Sequence, residues 1–99
     1  MNYKKGKTLD EILLLLRSKS NYRFTVRQVA SSLQISTSRT NYLLTQLVQK
    51  QKVQPMGALP SNSGRTEDLS YQINEEGFFF IKKGGFLKSL KRRWWKLAF

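Results

Sequence analysis

The sequence predicts an α+β domain, and three observations carry that reading. Apolar residues recur at helical spacing in successive segments between Thr8 and Lys50. Extended segments begin at Val53 and Leu69, on either side of Pro60-Ser-Asn-Ser-Gly-Arg-Thr-Glu-Asp68, which reads as a hairpin loop. A further capped segment opens at Asn74. Ninety-nine residues suit one domain with a usable core.

Residues 1–7 read as a basic polar arm. Thr8 is expected to open the first helix, with Glu11 reaching back in a capping box. Leu9, Ile12, Leu13 and Leu16 form its apolar stripe. Leu14 and Leu15 fall outside that stripe and are assigned to the core, with a dimer contact as the alternative. Tyr22-Arg23-Phe24 reads as a very short strand. Thr25 caps the second helix with Gln28 as its box partner, and Phe24 and Val29 have the spacing of a hydrophobic staple. Val26, Val29, Ala30 and Leu33 face inward.

Gln34-Ile35 makes a brief turn, and Ser36 caps a third helix reaching about Lys50. Leu43, Leu44 and Leu47 line its inner side, with Thr40 one turn earlier. Leu69-Ser-Tyr-Gln-Ile73 alternates strictly and reads as the return strand of the hairpin. Asn74 caps the next helix, with Glu75 and Glu76 in the first turn, where negative charge is favoured. Ile73 and Phe78 repeat the staple spacing. Lys82 and Lys83 precede Gly84-Gly85, which suits a helix end. Gly77 weighs against this helix, and Phe78-Phe-Phe-Ile81 leaves a strand as the alternative.

Composition narrows the chemistry. There is no Cys and no His, which excludes disulfides, thiol catalysis and the commonest general base and metal ligand. The acids come as adjacent pairs, Asp10/Glu11, Glu67/Asp68 and Glu75/Glu76, and neighbours do not share a helix face. An enzyme is not expected, nor a metal or cofactor. The longest apolar run, Ile12 to Leu16, is far short of the roughly 20 residues a membrane span needs. No signal peptide is read, and a cytoplasmic location is expected. Eighteen basic residues against six acidic ones give a net charge of +12, which points to a polyanionic partner.

Val26-Arg-Gln-Val29-Ala30-Ser-Ser-Leu33-Gln-Ile35-Ser36 and the helix that follows, with Leu43, Leu44 and Leu47, resemble the helix-turn-helix of winged-helix DNA-binding proteins. Ala30 has the spacing of the small residue at the helix crossing. The hairpin resembles their wing. Tyr71-Gln-Ile73-Asn74-Glu75-Glu76-Gly77 resembles the wing exit of small bacterial regulators of the multidrug-repressor and PadR-like kinds. The likeness covers residues 8–83, with 84–99 as a tail. Two positions depart from the pattern: Gln51 stands where a Gly usually ends the third helix, and Thr40 where an apolar residue is common.

The resemblance implies a transcriptional regulator binding double-stranded DNA, with the third helix in the major groove and a homodimer if the operator has two halves. Removing the inward positions leaves Thr37, Ser38, Arg39, Asn41, Tyr42, Thr45 and Gln46 as the reading face. Arg39 suits guanine and Asn41 adenine. Arg65 at the wing suits a minor groove, and Lys50 and Lys52 suit phosphates.

Residues 82–99 hold seven cations and no acid, and seven of the twelve aromatics lie in residues 78–99. Read as a helix, Phe86, Leu90, Trp94 and Ala98 share a face. Three roles stay open for this tail. It packs on its own domain or a second subunit. It lies on an anionic membrane surface through residues 86–99, with Lys88, Lys91, Arg92, Arg93, Trp94 and Trp95 at the headgroups. Or it contacts nucleic acid. The membrane role makes the domain a protein-interaction module, the rival to a DNA reader.

Overall fold

A computed structural model describes residues 3–59 and 68–90. The elements run α1 (Tyr3–Ser18), β1 (Phe24–Thr25), α2 (Val26–Leu33), α3 (Thr37–Gln49), β2 (Val53–Leu59), β3 (Asp68–Ile73) and α4 (Glu75–Lys82). A fifth helix, α5, is described over residues 85–90. The strands form one antiparallel sheet in the order β1-β3-β2.

Two helix starts follow the capping chemistry read from sequence. The Thr25 side chain accepts from the Gln28 amide while the Gln28 side chain accepts from the Thr25 amide, closing the box that opens α2. Ser36 Oγ accepts from the Arg39 amide at 3.1 Å and opens α3. Between them Gln34 turns the chain in the left-handed region at φ 56°. Val29, Ala30, Leu43, Leu44 and Leu47 are buried there, so the two helices cross over an apolar seam.

Helix α1 departs from expectation. It begins at Tyr3, so residues 3–7 are helical rather than an arm. Thr8 is not its cap: the hydroxyl donates to the Lys4 carbonyl one turn back, as a residue inside a helix does. Leu9, Ile12, Leu13 and Leu16 are buried as expected, but Leu14 stands exposed and Leu15 only half-buried. The core occupies one side of a helix, and Leu14 lies on the other side.

The hairpin pairs Val53 with Ile73 and Gln54 with Gln72, then slips by one residue between Pro55 and Gly57. Met56 is the extra residue of this bulge. Pro55 is tolerated because β2 is an edge strand. The Ser70 hydroxyl donates to the Gly57 carbonyl at 2.7 Å and fastens the slip. The expected loop over residues 60–67 lies outside the described residues.

Residues 75–82 are helix, and the strand alternative falls. Asn74 Oδ1 accepts from the Gly77 amide at 2.7 Å, capping α4. Gly77 has a packing reason: a Cβ there would run into the Lys52 carbonyl. The glycine therefore lets α4 lie against the start of β2.

Helix α5 is fixed by a residue far away in sequence. Asp10 of α1 is 7% exposed, and its two carboxylate oxygens accept from the Phe86 amide at 2.8 Å and the Leu87 amide at 3.1 Å. These are first-turn amides with no partner inside their own helix. Gly85, at φ 69°, brings the backbone close enough that any Cβ would collide with that carboxylate. Phe86 and Leu90 are buried, and Phe86 packs edge-on against Phe80 at 4.6 Å.

Candidate nucleic-acid interface

The polar side of α3 is the candidate surface. Thr40, Leu43, Leu44 and Leu47 are buried, which fixes the rotation of the helix. Thr37, Ser38, Arg39, Asn41, Tyr42 and Thr45 are all exposed, and Gln46 is half-buried at the margin. At 100° per residue, Ser38, Tyr42 and Thr45 stand opposite the core, with Arg39 and Gln46 on one flank and Asn41 on the other. Gln49 completes this line and is exposed. Sequence reasoning passed over it, although its spacing of four from Thr45 and seven from Tyr42 was the available signal.

Two hydroxyls are partly committed to the helix. Thr45 Oγ1 donates to the Asn41 carbonyl at 2.8 Å, so toward a ligand it presents an acceptor and a methyl group. Thr40 Oγ1 donates to the Ser36 carbonyl at 2.8 Å, which is how a polar residue sits in the buried position where an apolar one is common. Helix α3 carries no acid, so nothing on it repels phosphate.

Lys50 and Lys52 face a different neighbourhood. Lys52 Nζ lies 3.0 Å from Glu76 Oε1 and 4.6 Å from the centre of the Phe80 ring. Lys50 Nζ lies 5.8 Å from the Phe86 ring centre. Both ammonium groups border the aromatic layer of α4 and α5. Lys50 is exposed and directly follows Gln49 at the end of α3, while Lys52 is half-buried. Arg65, Lys91, Arg92, Arg93, Trp94 and Trp95 lie outside the described residues, while Lys88 is exposed on α5.

The end of α3 also shows how the sequence manages without the usual glycine. Gln51 adopts φ 61°, donates its amide to the Val48 carbonyl at 3.0 Å and accepts from Asn74 Nδ2 at 2.8 Å. The left-handed turn is kept, held by a side chain from the start of α4.

No protein-family model matches the chain, and no curated protein does. Solved structures do. A mutant of Lactococcus lactis ZitR in its apo form superposes with TM-score 0.63 at 17% identity, over 96% of this chain and 63% of that one. MepR of S. aureus, solved as a complex with DNA, gives TM-score 0.60 at 14% identity, over 99% of this chain and 64% of that one. The fold is a winged helix. In that frame α2 and α3 are the helix-turn-helix, and β2 and β3 are the arms of the wing. The chain spans less than two thirds of the length of either neighbour.

Among the described residues no cluster of acids suits a metal ion, and no helix is long and apolar enough to cross a membrane.

Proposed function

We propose that this winged helix is a small transcriptional regulator that binds double-stranded DNA by placing α3 in the major groove. The observation that carries the reading is the exposed, acid-free polar face of α3 in a chain of net charge +12. A helix whose inner side is fully committed to the core presents that face as a rigid unit, which is what reading base edges requires. The DNA in the MepR complex supports the reading by analogy of fold.

In this reading Arg39 donates to guanine and Asn41 pairs with adenine, each worth about 1–3 kcal/mol of discrimination. Ser38, Tyr42, Thr45 and Gln49 line the groove between them, Thr37 and Gln46 border it, and Arg65 follows the wing. Lys50, exposed at the end of α3, and Lys52 contact phosphates. The protein acts by occupying a site, without chemistry of its own, in the cytoplasm and as a homodimer on a two-part operator.

The test is an amide chemical-shift map recorded as a mixed-sequence duplex is added near physiological salt. Shifts centred on residues 36–49 and 61–66 are expected. Shifts confined to residues 82–99 would overturn the reading. Site selection follows, and replacing Arg39 and Asn41 together with Ala is expected to erase sequence preference.

A further inference from the structure

Tyr42 is a large ring standing in the middle of a polar face, 53% exposed, and it is not left to solvent. Lys5, from the first turns of α1, donates from Nζ to Tyr42 Oη at 3.2 Å across 37 positions of sequence. The same ammonium lies 5.0 Å from the ring centre. Together these distances place it beyond the hydroxyl rather than over the ring, so the contact is a hydrogen bond to the phenol and not a stacked cation. Lys5 is half-buried and lies on the core side of α1, one turn before Leu9 and two before Ile12, so its stem is supported by the fold.

We propose that Lys5 is a positioning residue of the DNA-reading surface, holding Tyr42 as an oriented hydrogen-bond donor, so that the start of α1 forms part of that surface. The inference rests on the DNA-binding reading of α3. Its chemistry is a matter of donors and acceptors. An ammonium has donors only, so the phenol must accept from Lys5. The phenol's own proton then points elsewhere, and the elsewhere is the open side of α3. Tyr42 therefore seeks an acceptor on DNA: a phosphate oxygen, or a major-groove acceptor such as guanine O6 or N7 or thymine O4. Because Lys5 already restrains the ring, less rotamer entropy is lost when DNA docks.

The test uses the full chain as wild type, Lys5→Ala, Lys5→Arg, Tyr42→Phe and the Lys5→Ala/Tyr42→Phe double variant. Affinity is measured on a mixed-sequence duplex and on a duplex selected from a random pool. Unfolding midpoints of the free proteins serve as the control and are expected to stay within error of wild type. Each single loss is expected to weaken binding by about three- to tenfold, a range typical of residues sharing one hydrogen bond. The double variant is expected to be no weaker than the worse single one, and Lys5→Arg to restore binding.

If Tyr42→Phe weakens all sequences equally, the acceptor is phosphate; if it flattens preference at one base pair, the acceptor is that base. Either result supports the proposal. Losses that multiply in the double variant would overturn it, since Lys5 would then act as a separate charge. So would wild-type affinity in both single variants while the Arg39/Asn41 replacement still erases preference, which would leave the α3 reading intact. Absence of DNA binding by the wild type would overturn both.

Discussion

Replacing Asp10 with Ala tests the contact that joins the first helix to the last. The carboxylate accepts from two amides, the Phe86 one buried and the Leu87 one partly buried. Removing it leaves both without an acceptor inside a packed contact. An orphaned buried donor costs about 1–3 kcal/mol, so the pair costs about 2–5 kcal/mol. Against this stands the burial of a carboxylate, a substantial opposing cost that the variant no longer incurs. The expected net loss is about 1–3 kcal/mol, a large fraction of the roughly 5–15 kcal/mol that holds a domain together. For a chain of this size it lowers the unfolding midpoint by about 4–20 °C. Urea titration followed by circular dichroism measures the loss, and amide exchange at Phe86 and Leu87 locates it. A loss below about 0.5 kcal/mol with unchanged protection at those amides would refute the reasoning, because two orphaned donors cannot be that cheap.

The same residue gives a pH dependence of definite sign. Burial raises the Asp10 carboxyl above its ordinary value of 3.8, outweighing the two amide bonds that lower it. The folded protein therefore holds this proton more tightly than the unfolded chain. The stabilisation from that proton is complete below 3.8 and declines as pH rises from there through the folded value. Asp10→Asn lacks this slope, so wild type should lose stability relative to it as pH climbs from 3.8 through the raised folded value. A difference that grows in favour of wild type over that range would contradict the assignment.

Other expectations follow from backbone geometry and charge. Gly77→Ala is expected to cost about 2 kcal/mol despite the better helix propensity of Ala, because the new methyl meets the Lys52 carbonyl, and a backbone atom cannot step aside cheaply. A gain in thermal midpoint would show that α4 can shift. Gln51→Gly is expected to stabilise by about 0.5–1 kcal/mol, the left-handed penalty less the entropy of the glycine, read as a midpoint rise of about 3–6 °C. A fall would mean that the Gln51 side chain contributes more than its φ of 61° costs. DNA affinity should fall with salt with a logarithmic slope steeper than about −2, since each neutralised phosphate adds about −0.9. A shallower slope would argue against phosphate-carried binding.

The elements read best from sequence were those whose cause is local. Thr25 with Gln28, Ser36 and Asn74 each satisfy an amide three residues away, so their roles are written in spacing alone. The leucines of α3 fixed its rotation, and with it the exposed set from Thr37 to Gln46, because a helical period assigns faces without reference to any partner. The order of helices and strands followed from those local facts, and the likeness to winged-helix proteins gave that order a fold.

What depended on distant partners could not be read that way. Asp10 read only as one of an adjacent acid pair, because nothing in the sequence shows that Phe86, 76 positions on, needs an acceptor. Gly77 looked like a weak helix residue because only packing places the Lys52 carbonyl against it. Lys52 stood alone as a cation in the sequence, because nothing there shows that Glu76 lies 3.0 Å from it. Lys5 looked like part of a solvated arm until Tyr42 met its ammonium. Three capped helix starts, the apolar faces and the sign of the charge were legible in the sequence alone, all properties of neighbours along the chain. The tertiary structure decided which charges are engaged by the fold and which stand beside the reading face, because that depends on distances between elements that no local period encodes.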